Sequence, residues 1–396
     1  MMRSKVVLFS LAIAACGDDA STSTGTDSGA ESSSGGGSSG AVSSTGATDP
    51  GGSEGGTQGT SDPTTTTTDP TTTTTSPGTA TTGTTEEPDT STTDDTTGDD
   101  TTGEPQDPVF DPDKDGPCEV GELEETIQVG NAQVPVYAYY PTGGPVDGPY
   151  PVVTVAHGFN IGPELYTEYA RRLASHCYVA LNVDHRGYLF QPVDHPAYAK
   201  QLLAAVDWAA TEPALQDIVD TDNVGTTGHS LGGKISVLAA TYDARVKASI
   251  TLDPVDGATM CPNMMVCPDV SGLLPISIPL GFLGGTLDGD GFMACAPKAE
   301  NYQTFYAAAG SPALEVTVVG ASHPSFVDDV NACGLSCAFC DQSMLDPAIV
   351  SALSRAYVVA YFGRHLRGNP GYDTYLTGAE AQARYVDMGY ATIKSK

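Results

Sequence analysis

Beyond residue 108 the chain alternates short apolar or two-periodic runs with longer stretches whose apolar positions recur every three or four residues. Residues 126–129 and 134–140 alternate apolar and polar side chains around Gly130-Asn131, which predicts an antiparallel pair with a tight turn. Residues 151–156 form an apolar run, as expected of a strand covered on both faces. The pattern then predicts a helix over 164–176, a strand over 178–183 and a helix over 196–210. The last of these carries Leu202, Leu203, Val206, Trp208 and Ala209 along its buried stripe. Strands are expected at 246–252, 278–283 and 314–319, with a helix at 301–309. A long helix over 346–366 closes the chain's periodic part and stops at Gly368-Asn369-Pro370. Strands and helices in this alternation build a parallel sheet wound on both faces.

In mid-chain the pattern tightens to strand, sharp turn, helix, in Asn223-Val224-Gly225-Thr226-Thr227-Gly228-His229-Ser230-Leu231-Gly232-Gly233-Lys234. Gly228-His229-Ser230-Leu231-Gly232 fits G-x-S-x-G, the turn that lifts a serine hydroxyl clear of a sheet. The serine backbone there is forced into an unfavourable conformation. Strand and helix also approach so closely two residues either side that a Cβ would collide. The pattern alone is weak evidence, since Gly36-Gly37-Ser38-Ser39-Gly40 and Gly51-Gly52-Ser53-Glu54-Gly55 match it too. Those two lie in a Gly/Ser/Thr tract with neither strand nor helix, so only Ser230 has the required context. With antiparallel strands leading in, the architecture expected is the α/β-hydrolase fold, whose ligands sit beyond the C-terminal strand edge.

Composition divides the chain in three: residues 1–16, 17–108 and 109–396. The first reads as a leader, with Arg3 and Lys5 before a ten-residue apolar core from Val6 to Ala15, and Ile13-Ala14-Ala15-Cys16 as the cleavage site. Cys16 after two small residues resembles a bacterial lipobox, so lipidation of Cys16 and a membrane-anchored, exported lipoprotein of the outer membrane or cell surface are expected. Residues 17–108 contain no aromatic side chain, Lys or Arg, have little to bury and are expected to be disordered. As a coil, a tether of that length reaches on the order of 50 Å. It holds 17 Asp and Glu, over half of the formal net charge of −32. The remaining domain is still acidic, which argues against nucleic acid as a partner. Eight cysteines remain, an even number that predicts disulfides in an exported domain. Cys337-Ala338-Phe339-Cys340 lacks a second CxxC or a His pair, so loop staples are expected there and no metal.

A serine nucleophile needs a base, and the chain order in this fold is Ser, acid, His. Two histidines follow Ser230: His365 lies in the closing helix between Arg364 and Arg367 and reads as a solvated face, whereas His323 follows the strand at 314–319 and reads as the base. Asp253 and Asp288 each end a strand after the elbow, and spacing alone favours neither as the acid. The oxyanion hole requires two backbone N–H groups, expected from Leu231 and from Phe159 in His157-Gly158-Phe159-Asn160. Gly158 would let a substrate carbonyl approach, and His157 reads as a structural turn residue. The loop 258–274, with Met260, Met264, Met265 and Val266 between cysteines, reads as an apolar wall or small lid.

Residues 151–160, Gly228-His229-Ser230-Leu231-Gly232-Gly233-Lys234, Leu252-Asp253-Pro254-Val255-Asp256-Gly257 and Cys295-Ala296-Pro297 resemble the chlorophyllase family over most of residues 150–340. Platelet-activating-factor acetylhydrolases are also similar. Both are families of serine esterases that use no metal or cofactor. The resemblance implies a Ser-His-Asp triad with Asp253 as acid; small or lipid-like esters are the expected substrates and a monomer the expected state. Two departures matter. Gly285-Thr286-Leu287-Asp288 keeps a cutinase-like acid placement open, and Leu231 stands where plant chlorophyllases usually carry Arg. Polyester or lipid hydrolysis, and a non-catalytic surface protein on the same fold, are the alternatives.

Overall fold

The computed structural model describes residues 107–396, apart from 186, 189, 191, 258–260, 262, 274–275 and 291–293. The leader, Cys16 and residues 17–106 of the expected tether lie outside the described residues, as do Met260 and Leu274 of the proposed lid.

Among the described residues one sheet of nine strands runs in the order β1-β2-β4-β3-β5-β6-β7-β8-β9. β1 (Glu119–Val129) and β2 (Ala132–Gly143) pair antiparallel across Gly130-Asn131, as the alternation predicts, and Gly130 takes the left-handed conformation with φ of 57°. β2 joins β4 (Val179–Val183) antiparallel. From β4 the ladder is parallel through β3 (Tyr150–Ala156), β5 (Val219–His229), β6 (Val246–Leu252), β7 (Leu280–Gly285) and β8 (Ala313–Val318). The strand expected at 278–283 is displaced: Pro279 has no N–H to give the ladder, and pairing begins at Leu280.

The helices cover both faces. α1 (Thr167–Ser175) and α5 (Pro347–His365) pack on one side with Val153 and Val155 of β3. α2 (His195–Ala209), α3 (Leu231–Tyr242) and α4 (Tyr302–Ala308) pack on the other with Val152 and Ala156. That division of one apolar run between two cores is why β3 lacks polar alternation. Burying each such side chain is worth roughly 1.5–3 kcal/mol. In α2, Leu202, Val206 and Ala209 are buried, while Leu203 and Trp208 are half-buried at its rim. β9 (Ala391–Ser395) was not expected and caps the sheet antiparallel to β8. The whole arrangement is the α/β-hydrolase fold.

All eight described cysteines are paired, as Cys118–Cys177, Cys261–Cys267, Cys295–Cys340 and Cys333–Cys337. The two cysteines of the CxxC stretch therefore belong to different staples.

Candidate active site

β5 delivers Ser230 and α3 carries the chain away. Ser230 has φ 57° and ψ −120°, the strained elbow conformation. A Cβ on Gly228 would stand 2.6 Å from the Gly232 carbonyl carbon and 2.7 Å from the Ala156 oxygen. One on Gly232 would stand 2.5 Å from the His157 oxygen, so both glycines are required by backbone. The elbow is fastened to β6 and the loop after it: Ser230 N–H donates to the Leu252 carbonyl (3.0 Å), and Val255 N–H donates to the Ser230 carbonyl (3.2 Å).

His323 opens a short 3₁₀ turn, His323–Phe326, braced by reciprocal Ser322–Ser325 bonds. Its ring Nδ1 lies 2.7 Å from Asp253 Oδ2, and its main-chain N–H donates to Asp288 Oδ2 at 2.7 Å. His323 is 8% exposed, and its ring lies 4.5 Å, centroid to centroid, from the ring of His229, the residue before Ser230. Among the described residues no hydrogen bond joins Ser230 Oγ to the His323 ring. Such bonds are often long before substrate binds.

Asp253 is fully buried, with φ 42°, and its second oxygen accepts the Gly285 N–H at 3.3 Å. Burial raises its pKa; the hydrogen bond from His323, that ring's charge and the Gly285 bond act against the rise. Asp288 is also buried, with φ 61°, but its oxygens serve main chain: the N–H of His323 and that of Asp341 (2.5 Å). Of the two aspartates that spacing could not separate, Asp253 meets the imidazole and Asp288 does not.

Phe159 and Leu231, expected to offer N–H groups, flank the elbow. The carbonyl of the 158–159 peptide faces His157 Nδ1 at 2.8 Å, which turns the Phe159 N–H of the same planar unit the other way. Among the described residues neither amide N–H has a protein acceptor. A Cβ on Gly158 would lie 2.8 Å from Ile161 Cδ1 and 3.2 Å from His229 Nδ1, so the glycine also leaves room for those two side chains. His157 is fully buried, stacked on His185 at 3.8 Å and bonded to the His185 carbonyl at 3.0 Å, which suits a structural role.

His365 is not the solvated residue expected. It is half-buried against Tyr361, ring centroids 4.4 Å apart, and burial brings its pKa down to about 4. Of the proposed wall, Met264 and Met265 are exposed and Cys261–Cys267 closes the loop around them. What the sequence reading missed is how that loop is held. Lys234 Nζ reaches both Asp256 Oδ1 and the Asp256 carbonyl at 2.5 Å, wholly buried, while Asp256 Oδ2 accepts the N–H groups of Val270 and Ser271. The cue was a lysine in the first turn of an otherwise apolar helix. Asp288 also lies beside Cys295 and Cys340, the three ligand-type atoms within 4.8 Å of one another. The two sulfurs are bonded together, so they are not thiolate ligands.

The fold and this strand-edge cluster define an α/β-hydrolase. The Chlorophyllase family profile matches residues 115–378, and the chain belongs to that family. It is 30% identical over 168 residues to a bis(hydroxyethyl) terephthalate hydrolase of Streptomyces coelicolor, covering 42% of this chain and 47% of that protein. It is 27% identical over 201 residues to chlorophyllase-2 of Arabidopsis thaliana (46% and 62%) and 25% over 179 residues to cutinase 2 of Thermobifida cellulosilytica (41% and 66%). The chain thus spans about half to two thirds of the length of these relatives.

Proposed function

We propose that this chain hydrolyses carboxylic esters through an acyl-enzyme on Ser230, with His323 as general base and Asp253 as the acid that orients it. The observation that carries the reading is the 2.7 Å bond from His323 Nδ1 to a buried Asp253 beside the serine elbow. A proton on Nδ1 leaves Nε2 free to take the Ser230 proton as Oγ attacks the ester carbonyl. The carboxylate then steadies the imidazolium. The Phe159 and Leu231 amides stabilise the tetrahedral oxyanion. The imidazolium returns its proton to the leaving alkoxide, and water, activated by the same ring, releases the acid. Ser230→Ala is expected to lose activity by ~10⁴-fold or more, and a fluorophosphonate is expected to label Ser230. Unchanged rates in the alanine variant would refute the reading.

The substrates proposed are small or lipid-like esters, in keeping with relatives named as chlorophyllase, cutinase and terephthalate-ester hydrolase. Polyester cleavage is a second reading, favoured by the exposed Phe159, Phe190, Leu335 and Phe339. Rates on p-nitrophenyl esters from acetate to palmitate, and on a polyester film, separate the two. The catalytic domain is proposed to work as an exported monomer, tethered through residues 17–108 to a lipid on Cys16, with no nucleic-acid partner. The leader pattern and the fully paired domain cysteines support export. Cys16→Ser is expected to release the protein from the membrane fraction; continued retention would count against the anchor.

A further inference from the structure

His323 follows β8, and β6 and β7 separate β8 from β5, which carries Ser230. Nothing in the sheet's own ladder fixes the base against the nucleophile. The intervening strand ends do so with side chains: Asp253 after β6 takes the ring, and Asp288 after β7 takes the main-chain N–H. β5 supplies a third tether. His229 Nε2 lies 3.0 Å from the His323 carbonyl oxygen.

That tether continues backwards. His229 Nδ1 lies 2.7 Å from Tyr166 Oη, and Tyr166 Oη accepts the Gly158 N–H at 3.3 Å. A carbonyl only accepts, so His229 Nε2 carries a proton. The ring is buried, and burial together with the neighbouring His323 holds its pKa well below the usual histidine value. It is therefore neutral, and Nδ1 accepts from the Tyr166 hydroxyl. Burial keeps that phenol protonated, with its pKa well above the usual value. The chain runs Gly158 N–H to Tyr166, Tyr166 O–H to His229 Nδ1, His229 Nε2–H to His323 O, with every donor matched and no net charge.

We propose that Tyr166 and His229 are positioning residues: they lock the loop bearing the Phe159 amide, the residue before Ser230 and the main chain of His323 into one frame. The proposal rests on the serine-esterase reading for its catalytic consequence, not for the frame itself. Its neutrality matters, because an imidazolium forming on His323 then faces no second cation at 4.5 Å.

The test has two arms on the full-length protein. In ¹⁵N-histidine NMR of the wild type, His229 is expected to stay the neutral Nε2–H tautomer from pH 5 to 9. An Nδ1–H tautomer, or titration in that range, would overturn the frame whether or not the protein is an esterase. In Tyr166→Phe, which keeps the ring's volume and removes both hydroxyl bonds, kcat on p-nitrophenyl butyrate is expected to fall by about ten- to a hundredfold, with KM within about twofold. Fluorophosphonate labelling of Ser230 should slow by the same factor. Wild-type kcat in a folded Tyr166→Phe, or a change confined to melting temperature, would refute the positioning role. Should that variant not fold, His229→Gln, which keeps a donor for the His323 carbonyl, is expected to retain more kcat than His229→Ala; equal losses would refute it as well. Failure of the wild type to label at Ser230 would instead sink the esterase reading and leave the NMR arm to decide the frame.

Discussion

Asp253 and Asp288 occupy matching places in the fold and serve different atoms. Both stand just past a parallel strand, both are buried, and both have positive φ, 42° and 61°. Both reach His323. Asp253 takes the ring nitrogen, whereas Asp288 takes the backbone N–H and, with its other oxygen, the N–H of Asp341. A carboxylate on the ring sets tautomer and stabilises an imidazolium; one on the main chain only holds the loop. Residue type and strand-end position are shared, so the difference lies in what each oxygen faces.

The sharpest way to break that contrast is Asp253→Asn. Its amide would face Nδ1 with a donor and favour the wrong tautomer, so kcat is expected to fall by ~10⁴ while circular dichroism stays unchanged. Asp288→Asn should cost about tenfold, since it removes a nearby charge that does not touch the ring and spoils one of two main-chain bonds. Rates that reverse this order would assign the acid to Asp288. Breaking the Cys295–Cys340 staple beside Asp288, as Cys295→Ser with Cys340→Ser, should lower kcat by only a few-fold, because Asp288 keeps its bonds to His323 and Asp341. A loss as large as that of Asp253→Asn would show the staple to be part of the machinery. Chelators are expected to leave the rate unchanged, and EDTA inhibition reversed by zinc would contradict that.

Acid stability gives a milder test. Burial lowers His176 to about 4, His195 to about 3 and His365 to about 4, with His185 and His229 also well below the usual value. At these histidines the unfolded chain therefore binds protons the folded one does not, while Asp328, raised by burial to about 6, offsets part of that. Stability should be full above pH ~6.5 and fall as the pH drops towards 4, by at most ~1.4 kcal/mol per pH unit for each histidine. Urea midpoints between pH 7 and 4.5 measure this, and a flat profile would contradict it.

Much of this was legible in the chain because strong patterns have strong causes. β3 read clearly as an apolar run buried on both faces. The elbow read clearly because Gly228 and Gly232 meet backbone on both sides. β9 was missed because only alternate residues of Ala391-Thr392-Ile393-Lys394-Ser395 face protein and its edge is polar. His323 and the two aspartates that contact it were legible as candidates, but choosing between Asp253 and Asp288 by spacing was impossible, since a strand-end aspartate looks the same whichever atom it serves. Disulfide partners, the Lys234–Asp256 pair and the Tyr166–His229 chain depend on distant loops meeting, which no local pattern records.

The most direct test of the central claim is the second-order rate of Ser230 phosphonylation by a fluorophosphonate, measured by peptide mass spectrometry in the wild type, Asp253→Asn and Asp288→Asn. The assignment of Asp253 to the imidazole predicts that Asp288→Asn reacts within about tenfold of the wild type and that Asp253→Asn reacts slower by ~10³–10⁴. Asp253→Asn labelling at the wild-type rate, with Asp288→Asn silent, would contradict it.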